Sequence, residues 1–321
     1  MGMFLPPLLC LVLTAVALTL LLRSKLAAHI AIDLPNERSL HAAPIPRIGG
    51  IVLVAIALTV SAYVAPSLRP LLSVAAAVGV VSAWDDRCSL PVLVRLTVHL
   101  AAAAGTLVVL QMHAPPWIMV VSVLLLTWAM NLYNFMDGAD GMAGGMAVVG
   151  FGALGIAAVS PAPEIAIACL CIAAAAGGFL WHNFHPARVF LGDAGSISLG
   201  FLAGGLGLSG WAQGAWPPWF PVLVFSPFIV DASLTLAVRL LRGNKPWQAH
   251  REHLYQRMVR SGLGHRRTAM LWYAVMIAAG VTAIAALSWP IGAQFGLLTA
   301  WTAVYATVFA STWRLGIEPD R

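Results

Sequence analysis

The sequence predicts an all-α integral membrane protein, a polytopic bundle of about 11 transmembrane helices with its N-terminus outside and its C-terminus cytoplasmic. Three observations carry that expectation. Only 9% of the 321 residues are charged against 60% hydrophobic, with a mean hydropathy of +0.87; soluble domains carry about 25% charged residues. Apolar runs of the length needed to cross a hydrocarbon core of about 30 Å recur along the whole chain. The basic residues then fall almost entirely on one side of those runs.

The runs lie near 3–22, 49–66, 68–84, 92–111, 116–132, 141–160, 164–181, 196–211, 217–240, 268–288 and 292–313. The first has no basic stretch ahead of it, exceeds a signal-peptide core in length and lacks a small-residue cleavage site, so it reads as a retained helix. Gly2 opens no myristoylation motif, because Pro6 stands where Ser or Thr is needed. Connections at 66–68 and 160–164 are the shortest in the series. No alternation of period 2 and no soluble-sized insertion interrupts it, so residues 1–321 are expected to form one transmembrane domain. Its cytoplasmic loops fall near 23–48, 85–91, 133–140, 182–195 and 241–267. Cys10, Cys88, Cys169 and Cys171 fall mostly inside apolar runs and read as packing residues. GFGALG (150–155) and GLGLSG (205–210) match a dinucleotide fingerprint, but neither follows a strand. Both read as small-residue packing faces.

Alternating the helices places Arg23, Lys25, Arg38, Arg47, Arg87, Arg95, Arg188, Arg239, Arg242, Lys245, Arg251, Arg257, Arg260, Arg266, Arg267, Arg314 and Arg321 on one side. The other side receives only Arg69. That bias makes the first side cytoplasmic. Most acids follow the bases; Glu164 is external and Asp231 lies inside the ninth run. Charges merely occupying loops would explain the bases. They would not explain acids gathered in short loops flanked by Gly and Asn.

Five cytoplasmic segments hold the polar chemistry: DLPNERSLHAAPIPRIGG (33–50), AWDDRCSL (83–90), MNLYNFMDGADGMAGG (130–145), WHNFHPARVFLGDAGSISLG (181–200) and RGNKPWQAHREHLYQRMVRSGLGHRR (242–267). An acid at the centre of a membrane helix costs about 2.5–3.5 kcal/mol on insertion scales, and such acids mark ion or substrate pathways. The neighbours Asp85 and Asp86 repel unless a cation lies between them. With Asp137, Asp140 and Asp193 they suit a hard divalent cation, which takes oxygen ligands and shares them with phosphates. Arg38 and the basic fifth segment supply the complement for an anion. Acids for a metal and bases for a phosphate on one face point to a phosphorylated substrate handled with Mg²⁺. Gly138 and Gly141 let the backbone between the two aspartates turn tightly against a ligand.

The ordered set D-x-P-N-x-R-x-x-H…GG, DD, N-x-x-N-x-x-D-G-x-D-G-x-A-G-G, F-x-G-D-x-G-S and a basic His segment resembles the polyprenyl-phosphate N-acetylhexosamine-1-phosphate transferases, glycosyltransferase family 4, from Asp33 to Arg267. Eleven helices with an external N-terminus look more like the WecA-type branch than the MraY-type branch. The resemblance implies a cytoplasm-facing, multi-pass enzyme of the bacterial inner membrane. It would pass an N-acetylaminosugar-1-phosphate from a UDP-sugar to undecaprenyl phosphate, releasing UMP. Mg²⁺ is the implied cofactor, with Mn²⁺ as its substitute, and Asp86 and Asp193 are the implied metal ligands. Asp85, Asp86, Asp137, Asp140 and Asp193 match catalytic positions. Arg38, His41, Asn131, Asn134, Asn183, Phe190, His250, Arg251, His253, Tyr255 and Arg257 match substrate-binding ones, with Phe190 placed to stack on uracil. The segment HREHLYQR (250–257) has Tyr255 and Gln256 where two family histidines usually stand. That pattern resembles the branch that starts O-antigen (lipopolysaccharide) synthesis on deoxy-aminosugars such as FucNAc or QuiNAc; a GlcNAc donor is the alternative. Membrane lipid is an expected partner and nucleic acid is not, while monomer and homodimer both stay open. A proton-coupled transporter is the rival from another class, and its acids belong at the bilayer midplane on interrupted helices.

Overall fold

The computed structural model describes residues 3–24, 31–33, 44–245, 248 and 250–314. Helices occupy every apolar run: α1 (Leu5–Arg23), α2 (Gly49–Val64), α3 (Arg69–Cys88), α4 (Val92–Val109), α5 (Pro116–Phe135), α6 (Met142–Ala158), α7 (Pro163–Asn183), α8 (Asp193–Ala212), α9 (Trp219–Val224), α10 (Ser226–Leu241), α11 (Leu254–Met258), α12 (Gly264–Ala286) and α13 (Ile291–Arg314). The architecture is all-α and membrane-embedded. Among the described residues, 7 helical segments are long and apolar enough to cross a membrane by themselves, and α2 and α6 are shorter apolar helices. Two features depart from the sequence reading. The run at 217–240 is two helices, α9 and α10, meeting at Phe225. Pro227 in the first turn of α10 has no N–H to continue the ladder from α9, and hydropathy alone does not register that break. A two-residue antiparallel ladder, β1 (Ile32–Asp33) with β2 (Ile45–Pro46), closes the segment before α2.

α7 and α8 form the centre. α7 packs against α1, α2 and α6, while α8 packs against α3 and α5. Their faces are built from small residues, as membrane helices without a hydrophobic driving force between them require. Both glycine fingerprints prove to be contact surfaces. A Cβ on Gly150 would meet the Phe225 ring at 2.5 Å, and one on Gly210 would meet Trp216 at 2.1 Å. Trp216 is accordingly buried, donating to the Gly207 carbonyl at 2.9 Å. Cys10, Cys169 and Cys171 are buried as expected; Cys88, at the end of α3, is exposed. The outer helices turn Leu8, Leu93, Val108, Trp117 and Ile291 outward, the surface a hydrocarbon solvent accepts.

Candidate active site

The aspartate pair ending α3 divides its labour. Asp85 closes the turn after the helix: its Oδ1 accepts the Leu90 N–H at 2.6 Å, and its Oδ2 lies 3.4 Å from Arg95 in the first turn of α4. Asp86 points to α8 instead, and its two oxygens accept the N–H groups of Asp193 and Ala194 at 3.0 Å each. Four N–H groups at a helix start have no partner of their own, and an anion there is favoured. A carboxylate from α3 thus caps α8 and draws Asp193 beside Asp86. Gly192 makes the approach feasible, with φ +72° and a notional Cβ 2.9 Å from Asp86 Oδ2.

The segment before α8 is fastened to α2. Phe190 donates to the Pro46 carbonyl at 2.8 Å, and Gly49 and Gly50 donate to Phe190 and Leu191 at 2.9 and 2.8 Å. Arg47, held 2.8 Å from Asp33, is thereby brought into the field of the acids. Asp137 completes the cluster from the α5–α6 loop. Burial first, then the charge of Asp193, pushes its carboxyl well above the usual carboxylate range; Asp86 and Asp33 add to the push and Arg47 opposes it. Asp137 therefore lies in the field of Asp86 and Asp193, with Arg95 3.9 Å from Asp193; among the described residues the three carboxylates do not close to the 4.8 Å that brings Asp140, His185 and His265 together. Oxygen-only donors from repelling carboxylates fit a hard divalent cation such as Mg²⁺, which would let them all ionise.

Asp140 goes elsewhere. Although it is three residues from Asp137, its Oδ2 accepts from His185 Nδ1 at 2.6 Å and from the Ala187 N–H at 3.2 Å, and its own N–H donates to His265 Nδ1 at 3.1 Å. The rings of His185 and His265 stack 5.3 Å apart. Their ligand atoms and that of Asp140 lie within 4.8 Å of one another, a nitrogen–oxygen set of transition-metal type, already occupied by these internal hydrogen bonds. Asn183, beside it, accepts the Gly141 N–H at 3.0 Å and donates to the Val189 carbonyl at 2.9 Å, stitching the two loops together. Asn134 accepts the Ser196 hydroxyl at 2.9 Å, tying α5 to α8. Asn131 faces away, to the Thr127 carbonyl and to His99.

The basic segment is less cationic than its composition implies. Burial, with His253 and Arg239 adding, pushes the His250 imidazole down to about 3, so it is neutral at pH 7. His253, Tyr255 and Arg257 are buried, and Arg251 is half-buried. Arg38 and His41 lie outside the described residues. Reading the sequence overlooked Arg47, Arg95, His185 as an Asp140 partner, His265 and Tyr273, whose hydroxyl donates to the Gly141 carbonyl at 2.6 Å. In the sequence Arg95 reads only as a topology marker, and Arg47 as a member of the first polar segment without an assigned role. Their position at helix starts facing an acid-bearing helix end was the available signal.

An apolar groove of about 230 Å³ runs along α5, α8 and the α9–α10 junction, lined by residues including Leu125, Trp128, Leu132, Gly204, Gly207 and Phe225. The polar end of α5, with Asn131 and Asn134, continues the helix that walls it.

Residues 68–210, which include Asp85, Asp86, Asp137, Asp140 and Asp193, match the family model "Glycosyl transferase family 4". The chain is 31% identical to the undecaprenyl-phosphate alpha-N-acetylglucosaminyl 1-phosphate transferase of Yersinia pestis, over 75% of this chain and 72% of that protein. It is 28% identical to the decaprenyl-phosphate N-acetylglucosaminephosphotransferase of Mycolicibacterium smegmatis, over 76% and 72%. A stretch of 79 residues is 48% identical to the phospho-N-acetylmuramoyl-pentapeptide-transferase of Thermosynechococcus vestitus, covering 25% of this chain and 21% of that one. With an acid cluster at one end of a membrane bundle and these matches across it, the chain belongs to glycosyl transferase family 4.

Proposed function

We propose that this protein transfers an N-acetylaminosugar-1-phosphate from a UDP-sugar to undecaprenyl phosphate. A phosphate oxygen of the acceptor attacks the sugar-bearing phosphorus, the bond to UMP breaks, and a lipid-linked pyrophosphoryl sugar forms. Asp86 bound to the start of α8 beside Asp193, with Arg95 at 3.9 Å and Asp137 and Arg47 in their field, carries the reading. Two anionic reactants meet only where their charge is offset, and a membrane-facing apolar groove along α5 suits a polyprenyl tail. Asp86, Asp137 and Asp193 would hold Mg²⁺, or Mn²⁺ in its place; the ion would offset charge on the pyrophosphate. The lipid phosphate is mostly ionised near pH 7, given a second pKa of about 6 as for phosphorylated side chains, so direct attack needs no strong base. The positive-inside bias supports eleven crossings with the site facing the cytoplasm of a bacterial inner membrane. Most of the acids gather at one end of the helices, and Asp231, inside the ninth run, is taken up by the N–H groups of Leu254 and Tyr255; both observations speak against a transporter.

For the donor, HREHLYQR (250–257) supports a FucNAc- or QuiNAc-type sugar and hence a role in starting O-antigen or related surface polysaccharide. A GlcNAc donor is the second reading, favoured by the names of the Yersinia and Mycolicibacterium relatives. Incubating the purified protein with Mg²⁺, undecaprenyl phosphate and each UDP-aminosugar, and scoring UMP, decides both. The expected result is Mg²⁺-dependent UMP release with one donor well above the rest. No release with any donor removes the catalytic assignment.

A further inference from the structure

Three residues on one face of α10 carry a buried polar stripe: Asp231, Thr235 and Arg239, at 0%, 7% and 5% exposure. Spacings of four bring them into line. Asp231 and Arg239 turn toward the segment 252–255, and Thr235 supports Asp231. Asp231 Oδ1 accepts the Leu254 N–H at 2.8 Å and the Thr235 hydroxyl at 3.1 Å, Oδ2 accepts the Tyr255 N–H at 3.1 Å, and Arg239 is ion-paired with Glu252. The segment so fixed delivers Tyr255 to the α5–α6 loop. Its hydroxyl donates to the Phe135 carbonyl at 2.9 Å, and a Cβ on Gly138 would stand 2.2 Å from the Tyr255 hydroxyl oxygen. Phe135 and Gly138 flank Asp137. His253 stacks between Phe135 and Tyr255, with centroids 6.0 Å from each.

We infer that Asp231 is a positioning residue for Asp137, acting through the backbone of 254–255 and the Tyr255 hydroxyl; its bearing on catalysis rests on the transfer reading above. The test uses the full chain with Asp231→Asn, Tyr255→Phe and the double variant. Amide exchange of residues 136–141 rises in both single variants while the thermal midpoint stays near wild type. With the preferred donor, kcat falls about tenfold to hundredfold, in line with small misplacements of reacting groups, and KM for the donor moves less than about twofold. Because both act through one contact, the double variant loses no more than the worse single. Unchanged exchange at 136–141, or losses that multiply, overturns the inference. Should Asp231→Asn fail to accumulate, Thr235→Val removes one bond from the same carboxylate and is read by the same exchange measurement. A wild-type protein silent with every donor would sink the transfer reading and leave the exchange result to decide the clamp.

A second inference comes from the opposite flank. Between the ends of α1 and α7 on the site-bearing side lies a cavity of about 320 Å³ lined by Thr19, Leu22, Arg23, Trp181, His182 and Arg188. A further space of about 200 Å³, lined by Ala15, Val16, Thr19, Leu20 and Trp181, adjoins it through Thr19 and Trp181. Among the described residues, the first is cationic with no acid in its walls, and the second is apolar apart from Thr19. Arg188 is aimed by a buried group: His182, 3% exposed, donates from Nε2 to the Ala15 carbonyl at 3.1 Å and accepts from Arg188 at its Nδ1 at 3.1 Å. Trp181 stands exposed beside it, as aromatics do at a headgroup boundary. The geometry points to one anionic phospholipid, its phosphate between Arg23 and Arg188 and an acyl chain along α1. Native mass spectrometry of protein released from phosphatidylglycerol bilayers should show one retained lipid, lost on Arg23→Ala/Arg188→Ala and largely kept on Arg188→Lys. Equal retention from phosphatidylcholine, retention by the double alanine variant, or displacement by stoichiometric undecaprenyl phosphate overturns it.

Discussion

Replacing Asp193 by Asn is expected to lower kcat for sugar-phosphate transfer roughly a thousandfold, the scale of losing one preorganised electrostatic group at a reacting phosphate. That is about 4 kcal/mol of barrier. The substitution is nearly isosteric, and its backbone N–H, the part of Asp193 that Asp86 binds at 3.0 Å, survives. Capping of α8 is therefore kept and only side-chain charge is lost. The same change removes the largest like charge acting on Asp137, so the protein should fold at least as well as wild type. An inactive but stable variant separates a catalytic charge from a structural one. Asp140→Asn is the control, because that side chain serves His185 and Ala187 and not the cluster; it should cost far less in kcat. UMP release alongside thermal unfolding in detergent checks both. An Asp193→Asn rate within tenfold of wild type would remove Asp193 from the reacting centre.

The bundle was legible because burial in lipid is a composition effect, and each apolar run became helix. The acid cluster was legible in its parts and not in its assembly. Asp85 and Asp86 are adjacent, yet one turns to Leu90 and the other to the start of α8, 107 residues later; the second contact depends on α3 packing against α8. Asp137 and Asp140 looked like a pair by spacing. The loop separates them, with Gly141 at φ +76° and Asn183 holding its N–H, so one joins the acids and the other the imidazoles. Tyr255 and His253 match substrate-binding positions of the family, and the structure buries both. The backbone there is held by Asp231 through the Leu254 and Tyr255 N–H groups, a partnership with no signature in local sequence. Local pattern reports which groups are costly to bury. It does not report which distant backbone satisfies them.

Gly50→Ala is expected to be the most damaging single methyl in the chain's site. A Cβ there would lie 2.3 Å from Gly195 Cα and 2.4 Å from both Gly195 N and Leu191 O. Every one of those atoms is backbone, so no rotamer change relieves the clash, and α2 must move away from the start of α8. That movement strains two bonds at once, Gly49 to Phe190 at 2.9 Å and Gly50 to Leu191 at 2.8 Å. Overpacking of this kind costs about 3 kcal/mol at its upper end. The protein that still folds would carry Arg47 and Asp193 out of register, and displacements near an ångström cost about a hundredfold in rate. Gly105 supplies the comparison: it sits in α4 with nothing within 4 Å of a notional Cβ. There Ala should be neutral or stabilising by about 0.5–1 kcal/mol, as for a helix interior with room for the methyl. Thermal midpoints and UMP release of the two variants, measured side by side, test the argument. If Gly50→Ala matches Gly105→Ala in both, the close crossing of α2 over the α8 N-terminus is not what holds the acids together.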